Sequence, residues 1–345
     1  MLGLTCGFVS GRRDLNPGPP APKAGALPSC ATPRAQIVRA WAPEPESAIT
    51  PLLPQGIEHS NLDKIFWPEE GLTKGDLLGY FEAVAPCILP ALRDRPLTVK
   101  RCPDGIRGMA FFQKNTPAYA PEWVPTATYH ADSADRDVAY TLCNSPRVLL
   151  WLANQAAIEL HPWLSRTDRI WRPDHLIFDL DPPEGAFDLA VEVAFAVREV
   201  LAEVGLQAAA KTSGAKGVHL YVPLARRHDY PRVRELAFDL SRRVERRIPD
   251  VATTEFKRAA RGARVFLDAG RNAPGAHVIA PYSPRARAGA TVSFPVAWKD
   301  LRRIGPEDFT IANVPRILLR RGDLWRSLMP ARQPLTRALR AVAGD

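Results

Sequence analysis

Two aspartates separated by one residue follow an apolar run at residues 175–183, HLIFDLDPP. The alternation predicts a buried β-strand that the two prolines end. Because side chains two residues apart on a strand face the same way, Asp179 and Asp181 would project to one side. Neighbouring carboxylates repel unless a cation lies between them, and oxygen ligands suit Mg²⁺ or Mn²⁺. The stretch alone leaves two interpretations open, a divalent-metal site and a strand that ends in two solvated acids.

A third carboxylate, Asp268, ends another apolar segment, residues 264–268, which is also predicted to be a strand. Three carboxylates on neighbouring strands can hold two divalent ions about 4 Å apart, the arrangement that in-line phosphoryl transfer uses. Taken alone, an aspartate at a strand end is better explained as a turn cap. Asp268 therefore supports the metal hypothesis only together with Asp179 and Asp181.

A glycine-rich turn, SGAKG, lies between two predicted strands at residues 213–217 and carries Lys216 between its glycines. Glycines allow backbone N–H groups to approach an anion, and the lysine supplies positive charge, so the turn could bind phosphate. The turn lacks the spacing of a Walker A loop and of a G-x-G-x-x-G motif. Without further context, an ordinary hydrophilic turn is the simpler interpretation.

Lysines and a pair of phenylalanines occur between residues 64 and 114, and arginines are clustered around Asp268 in the sequence. Lysine binds backbone phosphates and exposed rings stack on bases, whereas arginine can clamp a triphosphate. The alternative is a solvated basic face, with at least one of the paired phenylalanines in the core because strand neighbours face opposite ways. The lysines and phenylalanines are Lys64, Lys74, Lys100, Phe111, Phe112 and Lys114, and the arginines are Arg258, Arg261, Arg264, Arg271, Arg285 and Arg287.

The composition indicates a globular protein with a polyanionic partner. The 345 residues are 46% hydrophobic, enough for a sizeable core, and the net charge of +9 favours nucleic acid, although an arginine-rich protein from a GC-rich genome has the same balance. The five cysteines form no C-x-x-C pair, which argues against a zinc module and a disulfide framework. We expect no membrane span and no signal peptide, and hence a cytoplasmic protein with no membrane partner.

Three regions are expected along the chain. Residues 1–55 are rich in Pro, Gly and Ala without a hydrophobic period, and are predicted to be disordered or a spurious extension. Residues 56–328 are expected to form the ordered domain, and residues 329–345 a basic C-terminal tail.

Strands and helices of the ordered domain mix without strict β-α-β alternation, so the fold class is expected to be α+β rather than a doubly wound sheet. Strands are predicted at residues 175–181, 218–223, 264–268 and 277–282, and helices at residues 188–204 and 230–247.

Longer stretches resemble the polymerase domain of bacterial DNA ligase D, a member of the archaeo-eukaryotic primase superfamily. The resemblance runs from about residue 59 to residue 325, with its motifs in order. The stretches that carry it are LDKIFWPEEGLTKGDLLGYFEAVAPCILPALRDRPLTVKR, GMAFFQK, LANQAAIELHPWLSR, PDHLIFDLDPP, KTSGAKGVHLYVPL and APYSPRARAGATVSFPVAW.

The resemblance implies a small N-terminal α/β module packed on an RRM-like primase-polymerase module, with the active site in the cleft between them. It implies that two Mn²⁺ or Mg²⁺ ions are held by Asp179, Asp181 and Asp268. It implies nucleotide-phosphate ligands at His161, Ser213, Lys216, His219 and Arg285.

The resemblance also implies DNA-binding residues. Lys64 and Lys74 match a pocket for a recessed 5′-phosphate, and Arg261 matches a residue that helps to position the primer terminus. Phe111 and Phe112 match a pair that stacks on the template strand. Further DNA contacts are implied for Lys100 and Lys114.

The implied activity is that of a metal-dependent nucleotidyltransferase, which extends a primer 3′-hydroxyl with an NTP or dNTP at DNA gaps or break ends in non-homologous end joining. The implied partners are DNA with a 5′-phosphate, the end-binding protein Ku and a separate ATP-dependent DNA ligase. The sequence contains no Lys-x-Asp-Gly adenylation motif, so no ligase activity is expected of this chain. Two alternatives remain open, a de novo primase and a non-catalytic DNA-end-binding factor.

One segment departs from the family pattern. The usual Asp-Tyr-x-x-Asn is replaced by Asp268-Ala269-Gly270-Arg271-Asn272, and His277 stands where threonine is usual. Loss of the aromatic residue predicts that Asp268 is held less rigidly, without loss of activity.

Overall fold

The computed structural model describes residues 59–131, 135–276 and 278–343, all within one compact unit. The predictions made for residues 1–55 and for His277 lie outside these ranges.

The described residues form thirteen β-strands and seven α-helices, joined by turns and short 3₁₀ segments. The strands are β1 (Ile65–Trp67), β2 (Leu72–Thr73), β3 (Pro96–Arg101), β4 (Phe111–Gln113), β5 (Thr126–Ala131), β6 (Arg136–Leu142), β7 (Ala157–Pro162), β8 (His175–Asp181), β9 (Ala209–Thr212), β10 (Val218–Pro223), β11 (Ala252–Thr253), β12 (Val265–Asp268) and β13 (Pro295–Val296). The helices are α1 (Lys74–Leu92), α2 (Pro146–Asn154), α3 (Phe187–Glu203), α4 (Tyr230–Arg247), α5 (Val314–Arg321), α6 (Leu324–Leu328) and α7 (Thr336–Ala343).

A six-stranded sheet carries the predicted acidic residues, in the order β11-β12-β8-β10-β9-β13. Its four central strands are antiparallel neighbours. With α3 after β8 and α4 after β10, the chain follows a β-α-β-β-α-β path, which is the connectivity of ferredoxin-like and RRM-like folds. Both helices pack against β8 and against each other. The predicted RRM-like module is confirmed.

A five-stranded sheet forms a separate N-terminal module. β3 pairs with β4 and β6 along one edge and with β7 along the other, and β5 extends the sheet beyond β6. Helices α1 and α2 pack together and against β7. The predicted α+β class, with a smaller N-terminal α/β module, is therefore confirmed.

Helix α1 begins with a capping box. The Thr73 hydroxyl accepts a hydrogen bond from the Asp76 backbone N–H at 3.2 Å, and the Asp76 carboxylate accepts one from the Thr73 N–H at 2.7 Å. By length and composition alone, α1 could cross a membrane. Leu77, Phe81 and Ile88 are completely buried in the protein core, so core packing accounts for its apolar character.

The segment predicted as a strand at residues 277–282 is not one in its described part, residues 278–282. Its backbone donates single hydrogen bonds to different segments, from Ala280 N to Leu160 O and from Tyr282 N to Ser293 O, so no ladder forms. The Tyr80 hydroxyl of α1 donates to Tyr282 O at 2.6 Å. The segment therefore connects the two modules.

The basic tail predicted at residues 329–345 is also corrected, for its described part. Residues 336–343 form α7, which packs against α4, and Leu335 and Ala338 are buried. The Gln333 side chain exchanges two hydrogen bonds with the Gln207 backbone, each 2.8 Å long. Apolar side chains at helical spacing explain why this segment belongs to the domain.

Candidate active site

Four polar side chains form a row across the six-stranded sheet. Asp268 on β12 lies opposite Asp179 on β8, Asp179 opposite His219 on β10, and His219 opposite Lys211 on β9. Residues directly opposite each other in antiparallel strands project to the same face, and Asp181 shares that face because it is two residues from Asp179. The structure thus brings the three predicted carboxylates together.

The adjacent carboxylates of Asp179 and Asp268 share one guanidinium, and Asp179 also contacts an imidazole. His219 Nε2 lies 3.1 Å from Asp179 Oδ1. Arg271 Nε lies 3.3 Å from Asp179 Oδ2 and 3.0 Å from Asp268 Oδ2. Arg271 therefore bridges the two acids, and one oxygen of Asp179 is directed by His219 while the other meets a cation.

Asp181 has two cationic neighbours. Lys216 Nζ from the glycine-rich turn lies 2.9 Å from Asp181 Oδ1, and Arg261 Nη1 lies 3.7 Å from Asp181 Oδ2. The Arg261 guanidinium also lies over the Phe266 ring, 3.6 Å from its centroid. Arg261, predicted at the primer terminus, thus lies beside the acidic centre.

The pKa values of the row reflect burial and neighbouring charges. Burial opposes ionisation of Asp179, but His219 and Arg271 outweigh it and hold its pKa well below the usual value. The pKa of Asp268 is raised, by burial first and by the Asp179 charge, against the opposing effect of Arg271. Burial, with Lys211 beside it, lowers the pKa of His219 to about 4, so its imidazole is neutral near pH 7.

The chemistry of the acidic residues fits a hard divalent cation, since all three offer carboxylate oxygens. Burial is the main cause of the raised pKa of Asp268, and the charge of Asp179 adds to it; a bound cation would oppose both effects. Within the described ranges, no three His, Cys, Asp or Glu side chains are gathered into a formed metal site. Arg271 and Lys216 instead neutralise the carboxylates, so coordination of an ion requires these two side chains to move.

The glycine-rich turn is organised by Ser213. Its Oγ accepts hydrogen bonds from Ala215 N at 3.1 Å and from Gly217 N at 3.0 Å, while its own N–H donates to Gly217 O. A Cβ at Gly217 would lie 2.1 Å from Leu180 O, so only glycine allows the turn to approach β8 this closely. The turn sets Lys216 directly above the acidic residues.

A buried glutamate, Glu159 on β7, contacts three of the predicted site residues. Its Oε2 lies 3.0 Å from His161 Nε2 and 3.0 Å from Arg285 Nη1, and its Oε1 lies 3.2 Å from Lys100 Nζ. Arg285 Nε also donates to Ser213 O at 2.7 Å. Burial opposes the Glu159 charge, but His161 and Arg285 hold its pKa well below the usual value. Lys100, predicted as a DNA contact, therefore lies with the nucleotide group.

Lys64 and Lys74 share a separate cavity of about 240 Å³, which Ser60 and Arg101 also line. Lys74 is 5% exposed and its Nζ donates to Ser60 O at 2.6 Å. Lys64 is exposed, with its Nζ 2.6 Å from Asp104 Oδ1. Burial, and then the Lys64 charge, lower the pKa of Lys74 to about 8. The predicted 5′-phosphate pair is thus brought together.

The two predicted stacking residues are both accessible. Phe111 is 36% exposed and Phe112 is 53% exposed on the edge strand β4, so the expectation that one of them belongs to the core is wrong. The Phe112 ring packs edge-on against His161, with centroids 5.5 Å apart, and Arg101 lies over Phe111 at 5.6 Å. Lys114 directly follows β4. The aromatic pair thus lies between the lysine cavity and the Glu159 cluster.

The altered segment after Asp268 is anchored by Asn272, which is completely buried. Its Oδ1 accepts from Ile177 N, and its Nδ2 donates to Ile177 O and Ala269 O, at 2.8, 2.8 and 3.1 Å. These bonds tie the turn to β8 without the usual aromatic residue. Asp268 therefore keeps its position in the row.

Two residues of the site were missed by reasoning from the sequence. Glu159 and Lys211 lie inside the quoted stretches ELHPW and KTSG, but no role was assigned to either. The available signal was a charged residue within an apolar strand, which is rarely buried without a partner. Their partners are distant in sequence, so spacing could not identify them.

Comparisons with known proteins agree with this geometry. Residues 73–325 match the family described as "LigD, primase-polymerase domain". The chain is 34% identical over 297 residues to the multifunctional non-homologous end joining protein LigD of Mycobacterium bovis, covering 82% of this chain and 39% of that protein. It is 33% identical over 291 residues to the bifunctional LigD of Bacillus subtilis, covering 82% of this chain and 46% of that protein.

A solved structure, the polymerase domain from Mycobacterium tuberculosis ligase D in complex with DNA, superposes with a TM-score of 0.73 at 33% identity. The match covers 80% of this chain and 98% of that one. This chain spans less than half the length of the full LigD proteins above, and nearly all of the isolated polymerase domain. The chain therefore belongs to the LigD primase-polymerase domain family.

Proposed function

We propose that this chain is a metal-dependent nucleotidyltransferase that adds nucleotides to a primer 3′-hydroxyl at DNA gaps or break ends during non-homologous end joining. The observation that carries the proposal is the row of Asp268, Asp179 and His219, with Asp181 on the same face. Family membership supports a polymerase-type reaction. The proposal extends to a cytoplasmic, nucleoid-associated location.

In the proposed reaction the 3′-hydroxyl attacks the α-phosphorus of an NTP or dNTP, its proton is removed, and pyrophosphate leaves. When bound, two Mg²⁺ or Mn²⁺ ions would activate the hydroxyl and neutralise the triphosphate. Asp179, Asp181 and Asp268 would hold these ions. The chain's own contribution is to orient the carboxylates through His219 and Asn272, whose hydrogen bonds fix Asp179 and β8.

The triphosphate would be bound by the cationic groups around the glycine-rich turn and Glu159. Lys216 lies beside Asp181, Arg285 and His161 both contact Glu159, and Ser213 orders the turn that carries Lys216. Charge-assisted hydrogen bonds to phosphate are stronger than neutral ones. These side chains would therefore hold the nucleotide while the hydroxyl reacts.

DNA would be held by its end. The cavity of Lys64 and Lys74 is of a size and charge suited to a terminal 5′-phosphate, and exposed Phe111 and Phe112 offer rings on which template bases stack. The matched polymerase domain was solved with DNA, which supports this assignment. We further propose Ku and a separate ATP-dependent ligase as partners, because the relatives are named as non-homologous end joining proteins.

The test is primer extension on a gapped duplex with a 5′-phosphate, with NTPs or dNTPs and Mn²⁺ or Mg²⁺. Asp181→Ala is expected to reduce extension by about 10⁴-fold or more, an estimate for removing a metal ligand of the reacting centre, and to leave DNA binding nearly unchanged. The matched control is Asp239→Ala, which removes an exposed aspartate on α4 that pairs with Arg242. Full, metal-dependent extension by Asp181→Ala would contradict the acidic site.

Two further arms of the assay address the alternatives. A template without primer separates primer extension from de novo priming, because only a primase would make product there. A wild-type protein that binds the gapped duplex tightly but extends no primer at any metal concentration would instead support a non-catalytic end-binding factor.

A further inference from the structure

Lys211 is a buried lysine to which neither the sequence nor the proposed reaction assigns a role. It is completely buried in β9. Among the described residues, no carboxylate lies within ion-pair distance of its Nζ. Its polar partners are His219 Nδ1 at 2.8 Å and Ser293 Oγ at 2.5 Å. Burying a lysine without a carboxylate partner destabilises the folded state. We therefore expect Lys211 to have a functional role.

The hydrogen bonds around Lys211 have a single consistent direction. Ser293 Oγ donates to Thr212 O at 2.8 Å, so it accepts from Lys211 Nζ. An ionised Asp179 can only accept, so His219 Nε2 carries the proton that it donates to Asp179 Oδ1. In a neutral imidazole Nδ1 is then an acceptor, and Lys211 Nζ donates to it. These donor and acceptor roles are the same whether the Lys211 amine is neutral, with two N–H bonds, or charged, with three.

We propose that Lys211 is a positioning residue that locks His219 in the Nε2–H tautomer, and so fixes the Asp179 carboxylate for metal binding. In this arrangement Asp179 Oδ1 accepts from His219 Nε2, and Asp179 Oδ2 lies 3.3 Å from Arg271 Nε. Loss of an outer partner that orients a ligand in this way commonly lowers metal affinity by about 10- to 100-fold. The proposal rests on the proposed function, because it assigns Asp179 as a metal ligand.

The register of the sheet supports the same order. Lys211, His219, Asp179 and Asp268 occupy facing positions on four adjacent strands, so His219 lies between Lys211 and Asp179. Lys211 Nζ also lies 5.6 Å from the Tyr221 ring centroid. Because Lys211 is completely buried, we expect it to act on Asp179 through His219 rather than on the nucleotide directly.

The test begins with the tautomer itself. Nitrogen-15-labelled histidine distinguishes Nε2–H from Nδ1–H in two-bond proton–nitrogen correlation spectra, and His219→Gln assigns the signal. Wild-type protein is expected to show the Nε2–H form. An Nδ1–H form in the wild type would overturn the proposal without any variant of Lys211, whether or not the chain extends primers.

The second measurement uses Lys211→Met, which keeps the length of the side chain and removes its donors. We expect a mixed tautomer at His219, a rise of about 10- to 100-fold in the Mn²⁺ concentration that gives half-maximal extension, and an unchanged KM for nucleotide at saturating metal. Lys211→Arg, which restores a donor, is expected to recover most of the metal response.

The matched control is Val222→Ala, which removes buried volume from the neighbouring strand β10. It is expected to lower the thermal midpoint without changing the metal response, and so separates loss of stability from loss of positioning. A Lys211→Met protein that keeps the Nε2–H tautomer and the wild-type Mn²⁺ dependence would overturn the proposal. If Lys211→Met fails to fold, an Nδ1–H form of His219 in the wild type or in Lys211→Arg still overturns the proposal.

Discussion

The Lys74 ammonium lies where burial opposes its charge, and its pKa is lowered from 10.5 to about 8. This pKa is below that of an unfolded lysine, so the folded chain loses the proton first, as pH rises through about 8. We therefore expect the preference for 5′-phosphorylated over 5′-hydroxyl gapped DNA to fall about tenfold between pH 7 and pH 9, the worth of one charge-assisted hydrogen bond. Competition binding across this range checks the prediction.

The control for this prediction is Lys74→Arg. Arginine keeps its charge throughout the range, so the pH dependence should flatten in this variant. A pH profile that is the same in Lys74→Arg and the wild type would show that another group controls binding of the 5′-phosphate.

At the scale of single residues, the sequence predicted the features that local spacing dictates. Asp179 and Asp181 share a face because strand geometry requires it, and Lys216 stands in a glycine-rich turn. It could not predict that Glu159 would collect Lys100 and Arg285. Those contacts depend on the packing of two sheets, which no local pattern encodes.

The pairing of β8 with β10 depends on the glycine between them. A Cβ at Gly217 would lie 2.1 Å from the Leu180 carbonyl oxygen, a backbone atom that cannot move without separating the strands. Gly217→Ala is expected to destabilise the protein by about 3 kcal/mol and to reduce extension strongly, because Leu180 lies between Asp179 and Asp181. Denaturant unfolding and primer extension measure the two effects.

Gly185→Ala provides a matched comparison. No atom lies within 4 Å of its Cβ position, but its φ of +73° disfavours alanine, so the expected loss is only about 1 kcal/mol. Equal losses in the two variants would mean that the contact with β8 costs less than the 2.1 Å approach implies.

At the scale of elements, prediction succeeded where a segment makes regular contacts along its whole length. Helix α4 and strand β10 have the predicted bounds, since their apolar periods match their burial. The strand prediction was wrong for residues 278–282, because an apolar, β-branched run becomes a strand only when a partner strand supplies a ladder of hydrogen bonds. Here the backbone meets Leu160 and Ser293 singly.

The two modules are joined by a buried ion pair. Arg95 and Asp174, exposed by 2% and 3%, lie 2.7 Å apart just before β3 and β8, and Arg166 Nε lies 3.2 Å from the same carboxylate oxygen. Asp174→Asn would leave the buried arginine without its counter-charge, at a cost of about 3–5 kcal/mol near pH 7. Denaturant unfolding is expected to show one lowered transition, because both sheets share a continuous core.

The sign of the pH dependence is set by the pKa of Asp174. Burial opposes its charge, but Arg95 and His175 hold the pKa well below 3.8, so its stabilisation is complete above that pH and is lost as pH falls further.

The exposed pair of Arg232 and Glu235 is the control for Asp174→Asn, and Glu235→Gln is expected to cost about 0.5 kcal/mol or less. Two separate transitions would show that the modules unfold independently.

At the scale of the whole molecule, the RRM-like order of strands was predicted by resemblance rather than by periodicity. Alternation identifies strands but not their neighbours, and the row of Asp268, Asp179, His219 and Lys211 exists only because β12, β8, β10 and β9 are adjacent. The position of α7 was not predicted either. Its docking depends on an apolar face of α4 that only the folded chain presents.

The ion pairs of Arg271 and Lys216 with the acidic residues have a consequence for ligand binding at the proposed active site. Arg271 pairs with Asp268 and Lys216 pairs with Asp181, so a divalent ion bound as proposed would replace these cations rather than add to bare charge. The displaced Lys216 would then be available to a triphosphate, and a triphosphate that attracts Lys216 would lower the cost of metal binding. By thermodynamic reciprocity, each ligand is then expected to raise the affinity for the other, which measurement of Mn²⁺ affinity with and without nucleotide checks.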